Sequence, residues 1–202
     1  MKYTQVATDA FQKLQLNAGV LLSEFTPATP TLDKTKILGA TGGGVSFEAV
    51  PTFIDNGDGI DNIPANTKEL KIIDRYEVKL SGTFKTVDTA LAKQLISSAT
   101  ITVASGKVAP SHTLASTDFD DIWWVGDYSN VNVDSGSGQN AKNAGFIAIK
   151  LIDALSTGGF KIKSNDKGKG EFAFEFTAHY SLNTIDTPPF EIYIMAGQTA
   201  SS

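Results

Sequence analysis

Cysteine is absent from the 202 residues, histidine and methionine occur twice each, and arginine occurs once, at Arg75. Without cysteine there are no disulfides, no thiolate zinc sites and no cysteine nucleophiles. The chain is therefore indifferent to redox state. Charged residues make up only 19% of the chain and the net charge is −5. Tight phosphate contact needs clustered Lys or Arg. Scattered lysines beside a single arginine do not supply it, so specific nucleic-acid binding is not expected. Long hydrophobic runs are also missing. The longest, Gly145 to Ile152, is far too short to span a bilayer and contains Lys150. The opening MKYTQVATDAFQKLQLN has no apolar h-region, so no secretory signal is expected. A soluble product made in the cytoplasm, with no membrane partner, is the expectation.

What is present is strand and turn chemistry. Twelve Phe and 18 Gly stand among many Thr, Ser and Asn. Val45, Phe47 and Ala49 alternate with polar residues, as do Tyr76, Val78, Leu80 and Phe84. The clearest alternation runs Phe172, Phe174, Phe176, Ala178, Tyr180, Leu182, which predicts one long strand with a single buried face. Phe190 to Ile194, Phe160 to Ile162, Phe146 to Ile152, Ile122 to Val125 and Ile101 to Val103 predict further strands. Phe146 to Ile152 starts apolar on both faces, as expected of a strand covered on two sides. Ser164 to Gly170 reads as a hairpin loop, and Thr187-Pro-Pro189 as a break before the last strand.

The spacing of Ala90, Leu91, Leu95 and Ile96 predicts one helix through Ser98, with Thr86 as cap and Asp88 at its positive end. A weaker helical pattern covers Asp9 to Gln15. Two stretches, 51–69 and 127–144, are long, polar and irregular, which in compact domains marks functional or disordered loops. No internal repeat or linker divides the chain. The fold class expected is mainly β: two packed antiparallel sheets, a β-sandwich or barrel, with one flanking α-helix and long loops. It is read as a single domain over 1–202, with an N-terminal arm of about 1–35. Phe172, Phe174, Phe176, Leu91 and Leu95 are the expected core.

Catalytic chemistry is sparse, and no catalytic, cofactor-binding or metal-ligating residue is assigned. His179 falls on the polar face of its predicted strand. His112 lies in a loop with no evident partner. Ser137 lacks the first glycine of a nucleophile elbow. Gly39 to Ser46 lacks the lysine of a phosphate-binding loop and precedes a strand. The acidic run Asp55 to Asp61 fails calcium-loop spacing and reads better as a tight surface turn. Trp123 and Trp124 could stack a sugar, but adjacent strand residues point to opposite faces. One in the core and one at an interface is the expected arrangement. Lys161, Lys163, Lys167 and Lys169 read as cross-strand partners of Glu171 and Glu175.

The segment LNAGVLLSEFTPATPTLDKTKILGATGGGVSFEAVPTF, residues 16–53, resembles major tail proteins of long-tailed, siphovirus-like phages and prophages of Gram-positive bacteria. So do Asn66 to Lys71, Leu80 to Phe84, Trp124 to Tyr128, Gly145 to Ile149, Ala154 to Phe160, Phe172 to Thr177 and Pro189 to Tyr193. The resemblance spans nearly the whole chain and rests on structural motifs. Ile101 to Ser116 and the loop near Ser137 match least.

It implies a non-enzymatic tail tube subunit. Six copies would form a ring, and rings would stack into a channel for the genome. The implied partners are the chain itself, tail-tip, tape-measure and tail-terminator proteins, and DNA that passes without specific binding. The implied location is the virion tail. Tyr76 to Phe84 and Phe172 to Leu182 are the longest predicted strands, so they are the expected channel lining. Glu77, Glu171 and Glu175 are the candidate lumen-facing residues, with acidic groups expected to outnumber basic ones there. A carbohydrate-binding β-sandwich at a phage or cell surface, resting on Trp123, Trp124 and Tyr128, is the alternative.

Overall fold

The computed structural model describes residues 13–128, 145–164 and 166–195. The elements run β1 (Gln15–Leu22), β2 (Thr41–Asp55), β3 (Lys71–Phe84), α1 (Thr89–Ile96), β4 (Ala99–Thr102), β5 (Lys107–Pro110), β6 (Asp120–Tyr128), β7 (Gly145–Ser156), β8 (Lys161–Lys163), β9 (Glu171–Thr177) and β10 (Phe190–Met195). The strand pairs are antiparallel. Eight strands form one sheet in the order β1-β6-β7-β9-β3-β2, with β10 also on β7 and β8 also on β9. β4 and β5 make a separate hairpin. The mainly β class with one helix is as the alternation predicts.

β7 turns this sheet into two layers. Gly145 to Ala154 pairs with β6, and Phe146 to Leu151 pairs with β10 on the other side. The last two residues, Leu155 and Ser156, pair with β9 instead. One layer is therefore β1-β6-β7-β10 and the other is β2-β3-β9-β8. Ile147, Ile149 and Leu151 of the first layer meet Val78, Leu80, Phe84, Phe174 and Phe176 of the second in one apolar core. Leu91 and Leu95 of α1 join it. Phe172 is half-buried at its rim, against Phe160.

Three local expectations are corrected. The strand predicted to reach Leu182 ends at Thr177, and Leu182 is exposed in a 3-10 turn. The helix is capped by Asp88, whose carboxylate accepts the Leu91 N–H at 2.7 Å. Thr86 instead accepts the Ala40 N–H, tying the end of β3 to the start of β2. The third concerns 51–69: β2 continues through Pro51 to Asp55 and pairs with Lys71 to Tyr76. β2 and β3, at 15 and 14 residues, are thus the longest strands, whereas β9 has seven.

Most of the second helical pattern, and residues 129–144 of the second irregular stretch, lie outside the described residues. Gln15 opens β1 rather than closing a helix. Of the expected N-terminal arm, 15–22 is an edge strand on β6, and Leu22 is bridged to Ile37.

The two tryptophans point to opposite faces, and both are buried. Trp124 lies in the inter-sheet core and donates its indole N–H to the Ala18 carbonyl at 3.0 Å. Its ring crosses β1 at Gly19, where φ is +72° and an added Cβ would sit 2.5 Å from the indole nitrogen. Only glycine satisfies both demands there. Trp123 lies on the outer face, covered by the segment that follows β1. Phe25 meets it edge-on at 5.7 Å and also meets Phe146 at 5.5 Å. β7 is thus covered on both sides, as its double apolar face predicts.

Phe25→Ala should uncover Trp123. A red-shifted tryptophan emission and a loss of about 3 kcal/mol in urea unfolding are expected, at the low end for a buried Phe because this segment can relax. Unchanged emission would show that the segment does not shield the ring.

Candidate assembly surface

The β2-β3-β9-β8 layer has one face in the core, and its other face is polar. By alternation and register that second face carries Ser46, Glu48, Val50, Arg75, Glu77, Lys79, Ser81, Thr83, Glu171, Ala173, Glu175, Thr177, Lys161 and Lys163. Its side chains are short or charged, and none is aromatic. The three carboxylates singled out from sequence all fall on it. Glu77 is the most open, with a weak 4.0 Å contact to Arg75. Glu175 accepts a hydrogen bond from the Thr157 hydroxyl at 3.1 Å. Glu171 is ion-paired with Lys85 at 2.7 Å, and this hydrogen bond holds its carboxyl below the usual carboxylate range. Lys163 stands opposite Glu171 in register and Lys79 opposite Glu48, whereas Lys161 stands opposite Ala173.

The strand residues of this face hold four acidic and four basic groups, Arg75 included, and Lys85 at its margin adds a fifth cation. The face is closer to neutral than an acidic chain suggests.

In the eight-stranded sheet four strands are edges among the described residues: β2, β8 and β10 pair on one side, and so does β1 up to its bridge from Leu22 to Ile37. An edge offers unpaired N–H and C=O groups to another chain. Pro51 fits this placement. Its partner Tyr76 directs its N–H away from β2, onto the Tyr180 hydroxyl at 2.8 Å. That makes 51–76 a non-hydrogen-bonded pair, so the missing proline N–H falls on the outer edge of β2. Tyr180 takes the partner's place where β9 has already stopped.

Beyond Pro51 the β2–β3 hairpin extends past the core as an arm. Phe53 pairs with Ile73, and Ile54 with Ile72, after a register shift between Thr52 and Phe53. Neighbouring residues on a strand face opposite ways. The arm is therefore apolar on both faces, and these four side chains are 43–49% exposed. Val50 at its base and Ile60 at its tip are exposed as well. Sequence reading missed the arm because Pro51 and the Asn, Gly and Asp residues after it look like loop. The doubled pairs Phe53-Ile54 and Ile72-Ile73 were the available signal.

Among the described residues no catalytic grouping is seen. His179 follows the end of β9, with its ring nitrogen 3.1 Å from the Asp153 carbonyl and its ring edge-on to Phe119. His112 is exposed in its loop. No three metal-ligating side chains cluster among the described residues. Ser137 lies outside the described residues. Neither indole is presented for stacking a sugar, since Trp123 and Trp124 are only 7% and 9% exposed. Among the described residues no helix is long and apolar enough to cross a membrane. Searched against protein-family models and against curated proteins, the chain matches none.

Proposed function

We propose that this chain is a structural, self-assembling subunit of a phage-type tail tube, in which six copies close a ring and rings stack into a channel. The observation that carries the reading is the β2–β3 arm. A hairpin that is apolar on both faces is poorly suited to standing in water, and covering both faces takes neighbouring subunits. Free edges on both layers give those neighbours backbone to pair with, and a ring closes when the contact repeats by rotation. The polar face of the β2-β3-β9-β8 layer suits a channel wall. It offers short side chains, near-balanced charge and no concentration of cations to hold a phosphate backbone. Its tail-tip, tape-measure and terminator partners follow from the same reading. No side chain is assigned a catalytic role.

Electron microscopy of the purified chain over a range of concentrations, with and without tail-tip components, tests the reading directly. Rings and tubes are expected. Dispersed particles under every condition would refute it, and glycan binding by those particles would favour the carbohydrate alternative.

Charge on the proposed wall gives a second test. Glu77→Lys together with Glu175→Lys leaves two carboxylates against six ammonium groups, Lys85 included, and the Arg75 guanidinium on that face. Tubes should still form, since both side chains lie away from the core. They should now co-sediment with duplex DNA at low salt and release it as salt rises, because screening shortens to about 8 Å at physiological ionic strength. In virions the same change should slow genome ejection. Variant tubes that leave DNA in the supernatant at low salt would place this face elsewhere than the channel.

A further inference from the structure

The tip of the arm holds Asn56-Gly57, the only Asn-Gly pair in the chain. Asparagine followed by glycine is chemically labile, because a neighbour without a side chain lets its backbone nitrogen reach the asparagine amide carbon. Here that nitrogen is occupied. The Gly57 N–H donates to Asp55 Oδ1 at 3.0 Å, while Asp55 Oδ2 accepts the Asn66 N–H at 2.7 Å. The Asn56 N–H is bound to the Leu70 carbonyl at 3.0 Å, and the Asp58 N–H closes the turn onto the Asp55 carbonyl at 3.3 Å. Gly57 is buried, and a Cβ there would lie 2.9 Å from Leu70 Cδ1.

We propose that Asn56 is a latent deamidation site, silenced in the folded arm by the Asp55 carboxylate. The geometry of the tip carries this assignment independently of any tail tube role. Attack requires the Gly57 nitrogen to lose its proton to a solvent base. An amide anion formed beside the Asp55 carboxylate would meet like charge at hydrogen-bond distance, and the turn holds the nitrogen in place. When the tip opens, the nitrogen bonds to Asn56 Cγ, and ammonia departs with a proton from solvent. A five-membered succinimide remains. Water adds at either of its carbonyls and leaves aspartate or isoaspartate at position 56. The net change is one water consumed and one ammonia released, with no redox step. The product places a new negative charge between Asp55 and Asp58, and the isoaspartyl form also lengthens the backbone of the turn.

The test incubates the full chain, folded and in urea, in the same mildly alkaline buffer. Peptide mapping then follows the gain of about one mass unit and the isoaspartate at position 56. Protection equals the ratio of closed to open tips, so the folded chain should react at least about tenfold more slowly than the unfolded one. Asp55→Ala should lose most of that protection while its thermal melt shows the sandwich intact. Asp55→Ser, which removes the anion but keeps a small acceptor, is the second variant if alanine unfolds the chain. Asn56→Ser should abolish the mass gain and fix the assignment. Equal rates in folded and unfolded wild type would overturn the proposal, as would an unchanged rate in a folded Asp55 variant.

Discussion

Phe174→Ala should leave little folded protein. The ring is 3% exposed and lies in the middle of the inter-sheet core. Its centroid is 4.5 Å from Phe84 and 5.5 Å from Phe176, so one truncation loosens three aromatic side chains. Across the strand pair it covers Gly82, where an added Cβ would meet the ring at 2.8 Å. No neighbouring side chain at that register position can move in to fill the space. The poorer a site collapses, the closer the cost comes to the full range for buried phenylalanine, about 3–5 kcal/mol. A domain holds roughly 5–15 kcal/mol in all. Urea unfolding of whatever stays soluble should show that loss, and expression should shift toward the insoluble fraction. Phe172→Ala is the matched control. Phe172 points the same way but sits half-buried at the rim, so the cost there should be clearly smaller. Equal melting of the two variants would mean that the core is not centred where β9 crosses β3.

The contrast between those two phenylalanines also shows how far alternation carries. Period two in Phe172 to Phe176 identified the inward face, because a strand in a two-layer fold has only two faces to offer. It could not mark where pairing stops. Ala178 and Tyr180 continue the apolar period, yet β9 ends at Thr177 and Tyr180 turns its hydroxyl to the Tyr76 N–H. A side chain can replace a strand partner there without any change in pattern. The helix shows the same limit at its start. Thr86 and Asp88 are both good caps, and choosing between them depends on the Ala40 N–H, which is distant in sequence and near in space. The opposed tryptophans were legible because adjacent strand residues must diverge. Their shared burial was not, since Phe25 arrives from a stretch with no periodic signal. For the candidate surface, all three named carboxylates fall on one face, as register parity requires. The near-neutral balance of that face was hidden, because Lys161, Lys163 and Lys85 reach it only through pairing and the Glu171 contact.

Removing the apolar character of the arm should abolish assembly and spare the fold. Phe53, Ile54, Ile72 and Ile73 are each about half exposed in the single chain, so replacing all four by threonine deletes little that the isolated subunit buries. Threonine also keeps the strand preference of the sites, which leaves the hairpin formed. Substitutions at exposed positions usually stay within about 0.5 kcal/mol each. The monomer should therefore melt close to wild type. Contacts between subunits change far more. Each deleted methylene forfeits about 0.8 kcal/mol of apolar burial, and Phe53 loses several carbons. Four sites together then cost at least about 3 kcal/mol per subunit contact, about a 140-fold shift at 1.4 kcal/mol per factor of ten. The concentration at which tubes appear by light scattering should rise by about that factor or pass out of reach. Because the two pairs lie on opposite faces, they can be separated. Phe53→Thr with Ile73→Thr removes one face, and Ile54→Thr with Ile72→Thr the other. If the arm lies between two neighbours, each double variant should weaken assembly substantially, and their combination should weaken it further. One inert pair would mean that the arm lies against a single surface. Four substitutions without effect on tube formation would remove the arm from the interface and, with it, the main support for the tail tube reading.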